Sequence, residues 1–324
     1  MSKAIRFHQT GGPEVLQWDE IDVGEPSENQ ILVRHTAIGL NYIDTYHRSG
    51  LYPLPLPSAI GMEAAGVILK VGANVKGLTE GDRIAYASPP PGSYSEERLI
   101  DADKVVTIPS GVSDETAAAM MLKGLTAQYL IRQIHKVSSG DTILIHAAAG
   151  GVGLIVCQWA KALGANVIGT VSTEEKAILA KANGCDYPVI YTKENFAERV
   201  MDITNGEKLP VVFDSIGKDT FEKSLDCLKP LGKMVSFGQA SGPIPPVDLG
   251  VFAQKGSLFF TRPTLFNYAG TSAELRDMST DLFSVVESGA VKIQIDQEFP
   301  LSEARAAHEA LESRQTTAST ILIP

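Results

Sequence analysis

The residues best suited to chemistry in this chain run from His146 to Ile155, His146-Ala147-Ala148-Ala149-Gly150-Gly151-Val152-Gly153-Leu154-Ile155. Against the pattern G-x-G-x-x-G, Ala148, Gly150 and Gly153 fill the three positions. A dinucleotide site wants a tight turn at the first and close backbone approach to a pyrophosphate at the second. At the third it wants a small residue, so that helix and strand pack closely. Alanine serves at the first position if the turn requires no positive φ. Taken alone, such a string also fits an ordinary strand–helix turn. Its context favours the dinucleotide: an apolar strand over Thr142 to His146 precedes it, a helix begins near Val152, and a second strand ends about 20 residues on. The N–H groups at the helix start, at the positive end of its dipole, are then free to face the pyrophosphate.

The second strand decides which dinucleotide. Sites for NADH place Asp or Glu at its end, to hold the ribose 2′-hydroxyl. This chain reads Ile168-Gly169-Thr170-Val171-Ser172-Thr173 there, without an acid. Hydroxyls and a cation suit a 2′-phosphate, and Ser172, Thr173 and Lys176 supply them. Glu174 and Glu175 work against that assignment, and a helix lysine such as Lys176 is more commonly just solvated. NADPH is the expected cofactor.

The elements that must position this turn alternate from about residue 126. Thr142 to His146, Asn166 to Thr170, Val189 to Tyr191, Val211 to Ile216 and Lys233 to Phe237 read as strands. Between them, Val152 to Leu163, Glu174 to Asn183, Glu194 to Thr204 and Thr220 to Leu228 read as helices. That alternation predicts a doubly wound parallel sheet, and continuous apolar runs such as Ile143-Leu144-Ile145 suit strands covered on both faces. Ser257 to Thr261 supplies a sixth strand. Residues 1–125 have another texture: short strands at Ile31 to Val33, Gly66 to Val71 and Arg83 to Ala87 between Gly-rich turns, and a proline-rich extended loop over Leu51 to Pro57. The expected organisation is a first β-rich part over 1–125, a nucleotide-binding domain over 126–263, and a return over 264–324. That return holds a helix from Ser272 to Ser288, a strand from Val291 to Ile295, a helix from Ser302 to Ser313 and a last strand from Ser319 to Ile323.

Length and composition set bounds on function. The chain has 324 residues, 44% of them hydrophobic and 20% charged, with a net charge of −10. These are globular values for about two domains, and the acidic balance disfavours nucleic acid or an anionic membrane as partner. Three dispersed cysteines, Cys157, Cys185 and Cys227, suggest neither a disulfide framework nor a cysteine-built metal site. With no signal-peptide pattern and no long apolar run, a soluble cytoplasmic protein is expected.

Several segments resemble one family in order: Asn41-Tyr42-Ile43-Asp44 with Arg48-Ser49-Gly50-Leu51-Tyr52, then Lys123-Gly124-Leu125-Thr126, then Gly140-Asp141 through Gly153. They are similar to the quinone oxidoreductases, the ζ-crystallin-like, zinc-free branch of the medium-chain dehydrogenase/reductase superfamily. The resemblance implies an α/β protein in which a Rossmann doubly wound parallel sheet is inserted into a GroES-like β-rich catalytic domain built from both chain ends. It implies NADPH contacts from Asn41, Asp44 and Thr45 near the nicotinamide, and from Tyr129, Gly151 and Val152 around the pyrophosphate. Ser172, Lys176, Tyr191 and Arg314 would lie by the adenosine phosphate, and Phe237, Gly238 and Arg262 nearer the ribose and nicotinamide. Without the resemblance, Tyr129, Tyr191 and Phe237 would read as core aromatics. A homodimer, often paired along the last strand of the nucleotide sheet, is also implied.

Zinc-dependent members of the superfamily use a cysteine near the position of Asn41 and a His-Glu pair. Here the pair reads Gly61-Met62-Glu63, and the six histidines are scattered, so no metal site is expected. An acceptor reduced without a Lewis acid must delocalise its own negative charge, as quinones and conjugated enones do. Tyr46, with Tyr52 behind it, and Asn41 are the candidate hydrogen-bond donors to such an acceptor. The expected activity is NADPH-dependent quinone reduction. The alternatives are reduction of activated double bonds in enals, enones or enoyl thioesters, and a non-catalytic, NADPH-regulated RNA-binding protein.

Overall fold

A computed structural model describes residues 2–324. The chain forms two units, one of residues 2–125, Ala269–Glu287 and Ile293–Pro324, the other of Thr126–Tyr268 and Ser288–Lys292.

The first unit is built on β-branched and apolar runs that pair into two sheets. The larger has seven strands. Ile295–Pro300, Ser319–Ile323, Gln30–Gly39, Glu63–Val71, Arg83–Ala87 and Val106–Thr107 are neighbours in that order, and Glu97–Asp101 also pairs with Gln30–Gly39. A smaller sheet joins Gln17–Ile21, Ser2–Phe7 and Ser58–Ala59. Phe7, Ile31, Ile38, Ile68, Tyr86, Tyr94 and Leu322 belong to one buried core. The end of the chain matters most to the site. Ser319–Ile323 runs antiparallel to Gln30–Gly39, with Leu322 opposite Ile38, and Leu40 N–H donates to Thr320 O at 3.1 Å. The C-terminus therefore braces the backbone that leads into Asn41.

The second unit is a six-stranded sheet in the order Tyr187–Ile190, Asn166–Val171, Thr142–Ile145, Leu209–Asp214, Leu228–Ser236, Phe259–Thr261. Every neighbouring pair is parallel. Successive strands proceed one way from Thr142–Ile145 and then restart on its other side. The strand order thus reverses beside Thr142–Ile145, and the carboxyl end of such a switch point is where open α/β sheets bind ligands. Ile143, Leu144 and Ile145 are fully buried, as strands covered on both faces require.

Four local expectations change. The strand expected over Val291 to Ile295 is instead Ile295–Pro300, because its pairing with Ser319–Ile323 begins at Ile295. The return to the first unit falls after Tyr268 rather than after residue 263, since Tyr268 stacks on Tyr129 with ring centroids 4.7 Å apart. Ser288–Lys292 also rejoin the second unit, where Gln158 bonds both the N–H and the carbonyl of Lys292. Two helices, Tyr42–Ser49 and Asp114–Gln128, lie in segments for which the sequence pattern suggested no helix.

Leu322→Ala is expected to destabilise the protein by about 2–5 kcal/mol, the usual cost of truncating a buried leucine. The urea midpoint checks this; an unchanged midpoint would show that the last strand braces nothing.

Candidate active site

In the second unit the glycine-rich turn leads from Thr142–Ile145 into the helix Gly151–Ala162. Gly150 is the N-cap residue and no side chain caps this helix, so its first N–H groups are available to an anion. Ala147, not Ala148, carries the positive φ of the turn, at 55°. Ala148 stays in ordinary backbone geometry, its N–H donating to Thr170 O at 3.0 Å. Alanine therefore meets the requirement at the first motif position, and the strain sits one residue earlier. At Gly153 a Cβ would lie 2.3 Å from Ala147 O, whereas at Gly150 the nearest atom would be 3.3 Å away. Gly153 is glycine because the protein needs the space. At Gly150 a Cβ would meet only the Ala147 carbonyl oxygen, a closer contact than usual but far less severe than at Gly153.

At the carboxyl end of the next strand, Thr173 caps the helix Glu174–Ala182 by accepting Lys176 N–H. Tyr191 is exposed and its N–H donates to Val171 O at 3.1 Å, while Thr192 Oγ1 donates to Ser172 O at 3.0 Å. Ser172, Thr173, Lys176 and Tyr191 thus come together at the two strand ends. Lys193, which the sequence reading missed, joins them and pairs with Glu174 at 2.7 Å, so one of the two glutamates there is balanced by a cation. Lys193 follows Tyr191 by two residues, a spacing that could have suggested it. On the other side of the sheet, Asp214 accepts N–H bonds from Ile216 and Gly217 and the Thr220 hydroxyl. Its carbonyl accepts Phe237 N–H. Gly238 is held within 2.6 Å, measured from its would-be Cβ, of Ser215 O, and Arg262 Nη1 donates to Ser236 O at 2.8 Å. Tyr129 opens a π-helical turn, Tyr129–Ile134, and is buried. Burial raises its phenol pKa above the usual value.

The dispersed cysteines are not all apart. Cys157 and Cys185 are both buried, and contact with the Cys185 thiol, with burial, pushes the Cys157 thiol well up.

In the first unit Asn41 is the N-cap residue of Tyr42–Ser49. Its backbone N–H donates to Asp44 Oδ2 at 2.9 Å. Its amide Nδ2 donates to Glu63 Oε2 at 2.7 Å and to Gly39 O at 3.4 Å. A carboxylate only accepts, which fixes the orientation of the amide and leaves neither amide hydrogen for an acceptor molecule. Glu63, with no exposed surface, also accepts Leu122 N–H at 2.6 Å and Lys123 Nζ at 3.1 Å. Glu63, in the Gly61-Met62-Glu63 segment, is thus one half of a buried lysine–glutamate pair. Gly39 must be glycine, because a Cβ would lie 2.1 Å from Glu63 Oε2. Among the described residues no group of three or more His, Cys, Asp or Glu side chains is placed to hold a metal ion. Tyr46 and Tyr52 are half-buried and meet edge to face, with ring centroids 5.2 Å apart. Thr45 is buried, its hydroxyl donating to Tyr42 O at 2.8 Å. Arg314 lies in this unit, in a left-handed turn with φ of 59°, near enough to Tyr42 to affect its phenol.

Two family matches cover most of the chain: an alcohol dehydrogenase GroES-like domain over residues 27–138 and a zinc-binding dehydrogenase over residues 151–284. A quinone oxidoreductase of Pseudomonas aeruginosa is 54% identical over 100% of both chains. The crystal structure of Escherichia coli quinone oxidoreductase complexed with NADPH is 51% identical, with a TM-score of 0.98 over 99% of this chain and 100% of that one. A 2-haloacrylate reductase of a Burkholderia species is 48% identical over 100% of this chain and 99% of its own.

Two substitutions test the geometry. Lys123→Met strands the Glu63 charge and is expected to cost about 3–5 kcal/mol in chemical denaturation, the range for breaking a buried pair. Gly153→Ala is expected to lower the melting temperature clearly, and Gly150→Ala to leave it within a degree or two of the parent, as differential scanning calorimetry would read.

Proposed function

This chain belongs to the quinone oxidoreductase family, and from that premise we propose that it is an enzyme that passes reducing equivalents from NADPH to quinones. The observation that carries the reading is the uncapped start of helix Gly151–Ala162 at the switch point of the parallel sheet. It lies beside a strand end that bears hydroxyls and lysines.

When bound, NADPH supplies the hydride. The N–H groups of Gly151 and Val152 receive its pyrophosphate, with the helix dipole behind them. Ser172, Thr173, Lys176 and Tyr191 receive the adenosine end, and Lys193 offsets Glu174 there. Phe237, Gly238 and Arg262 hold the ribose side, with Asp214 fixing the backbone that carries Phe237. Arg314, Asn41, Asp44, Thr45 and Tyr129 complete the proposed contacts. Tyr46 and Tyr52 are the donors to the acceptor oxygen. Asn41 is better suited to shaping the site than to donating, because Glu63 and Gly39 engage its amide. A quinone spreads the charge it gains, so a single phenolic donor worth roughly 3 kcal/mol is sufficient help.

The likeness to a 2-haloacrylate reductase favours a second reading, reduction of an activated carbon–carbon double bond. The same charge-spreading argument covers it, because hydride addition to a conjugated acid or ketone gives an enolate. We further propose a homodimer formed along the edge strand Phe259–Thr261, where Phe259 and Phe260 are 59% and 42% exposed. The three cysteines are free and buried, the state a reducing cytoplasm maintains.

Side-by-side turnover of 1,4-benzoquinone, 9,10-phenanthrenequinone and 2-chloroacrylate with NADPH and NADH tests the reading. Quinones are expected to turn over faster, and NADPH to be preferred over NADH. Faster turnover of the acrylate, or equal use of NADH, would overturn the corresponding part. Gly150→Ala is expected to weaken NADPH binding about tenfold in calorimetric titration, the equivalent of roughly 1.4 kcal/mol.

A further inference from the structure

Four side chains in the first unit, Arg48, His308, Tyr94 and Asp44, form a directed chain of hydrogen bonds that ends on Asp44. Arg48, fully buried, donates from Nη2 to Glu312 at 2.7 Å and from Nη1 to His308 Nδ1 at 2.9 Å. A guanidinium only donates, so His308 Nδ1 must be the accepting nitrogen. Burial and the Arg48 charge push the His308 pKa down to about 3, so the ring is neutral and its one hydrogen sits on Nε2. That nitrogen stands 3.2 Å from Tyr94 Oη and donates to it. The single Tyr94 hydrogen then goes to Asp44 Oδ2, at 3.1 Å.

The direction of this chain has a consequence for Asp44. Oδ2 accepts two hydrogen bonds, from Tyr94 and from Asn41 N–H, which uses its two in-plane lone pairs. Oδ1 is buried and has no partner in the protein. A proton on the carboxyl must therefore reside on Oδ1. It cannot drain away along this path either, because each hydrogen from Arg48 Nη1 through His308 and Tyr94 points toward Asp44. The far end is an arginine, which does not give up its proton.

We infer that Asp44 is the proton-exchanging group of this site, presenting its proton from Oδ1, with Tyr94, His308 and Arg48 as the residues that position it. Resting on the NADPH:quinone reductase reading, the inference assigns Asp44 the second particle of the reduction. Hydride brings two electrons and one proton's worth of hydrogen to the quinone, and one further proton completes the hydroquinone. Asp44 breaks its Oδ1–H bond and gives that proton to the reduced acceptor's oxygen, directly or through one water. The carboxylate left behind takes a proton from water to return.

The surroundings suit the task. Burial raises the Asp44 pKa to about 7, against the Asn41 and Tyr94 hydrogen bonds and the Lys123 charge that lower it; Glu63 adds a raising effect. The neighbouring acid is treated differently: Glu63 has Lys123, the Leu122 N–H and the Asn41 amide on it. Donors and a cation thus occupy both oxygens of Glu63, whereas Asp44 keeps Oδ1 without a partner.

Carboxyl-stretch infrared spectroscopy of the cofactor-free protein, with Asp44→Asn as the reference, reads the proton itself. The protonated-carboxyl band missing from Asp44→Asn is expected to titrate near pH 7 in the parent. In Tyr94→Phe it is expected to titrate at higher pH, since a donor to the carboxylate is gone. In turnover, Asp44→Asn is expected to lose about 100-fold in kcat. The alkaline limb of the parent's kcat profile is expected to move in Tyr94→Phe with the infrared midpoint. An Asp44 already ionised at pH 5 would overturn the inference. So would an Asp44→Asn variant that keeps kcat and its pH profile within twofold, or a Tyr94→Phe limb that does not follow the band. A parent that reduces no quinone would refute the functional reading alone, with the infrared titration still deciding whether Asp44 holds the proton.

Discussion

Burying Glu63 without exposed surface obliges the first unit to surround a charge. A lone carboxylate in such a place costs several kcal/mol. The chain answers with the Lys123 ammonium, the Leu122 N–H and the Asn41 amide on its two oxygens. Each answer recruits a different element: helix Asp114–Gln128 brings Leu122 and Lys123, and the start of helix Tyr42–Ser49 brings Asn41. The glycine at position 39 follows from the same constraint, because a larger residue would strike the carboxylate. The nearby Asp44 has only neutral hydrogen-bond donors, and burial pushes its carboxyl up to about 7.

The second unit obeys a different economy, one of backbone rather than charge. Its polar groups are mostly used to hold loops still. His146 bridges the Thr170 and Ser224 hydroxyls at 2.9 Å each, and Asp214 ties down the turn that follows it. With these ends fixed, the N–H groups at the start of helix Gly151–Ala162 are the part of the switch point without a side-chain cap. Preorganised donors of this kind bind an anion without the cost of first ordering themselves.

The parallel sheet was legible because apolar strands such as Ile143-Leu144-Ile145 and the glycine string are local signals. The helix Tyr42–Ser49 was not, because tyrosines that meet ring to ring, and Asp44 and Arg48, which join a polar network, stand where a plain apolar stripe would. Helix Asp114–Gln128 is apolar nearly all round, with a buried run from Ala117 to Met121, so no amphipathic stripe announced it. The strand Ile295–Pro300 was misplaced because its register depends on a partner 24 residues downstream, Ser319 opposite Ile295.

The sequence alone determined the glycine-rich turn between strand and helix, the hydroxyls rather than an acid directly after Val171, and the methionine at position 62. Each is a matter of residue type at a fixed spacing within a few positions. Only the tertiary structure decided that Asn41 gives its amide to Glu63, that Lys123 is the buried counter-charge, and that His308 reaches Tyr94. These partners lie 22, 60 and 214 residues apart in the chain. Charge compensation and hydrogen-bond direction act through space, so pairs this distant leave no local pattern to read.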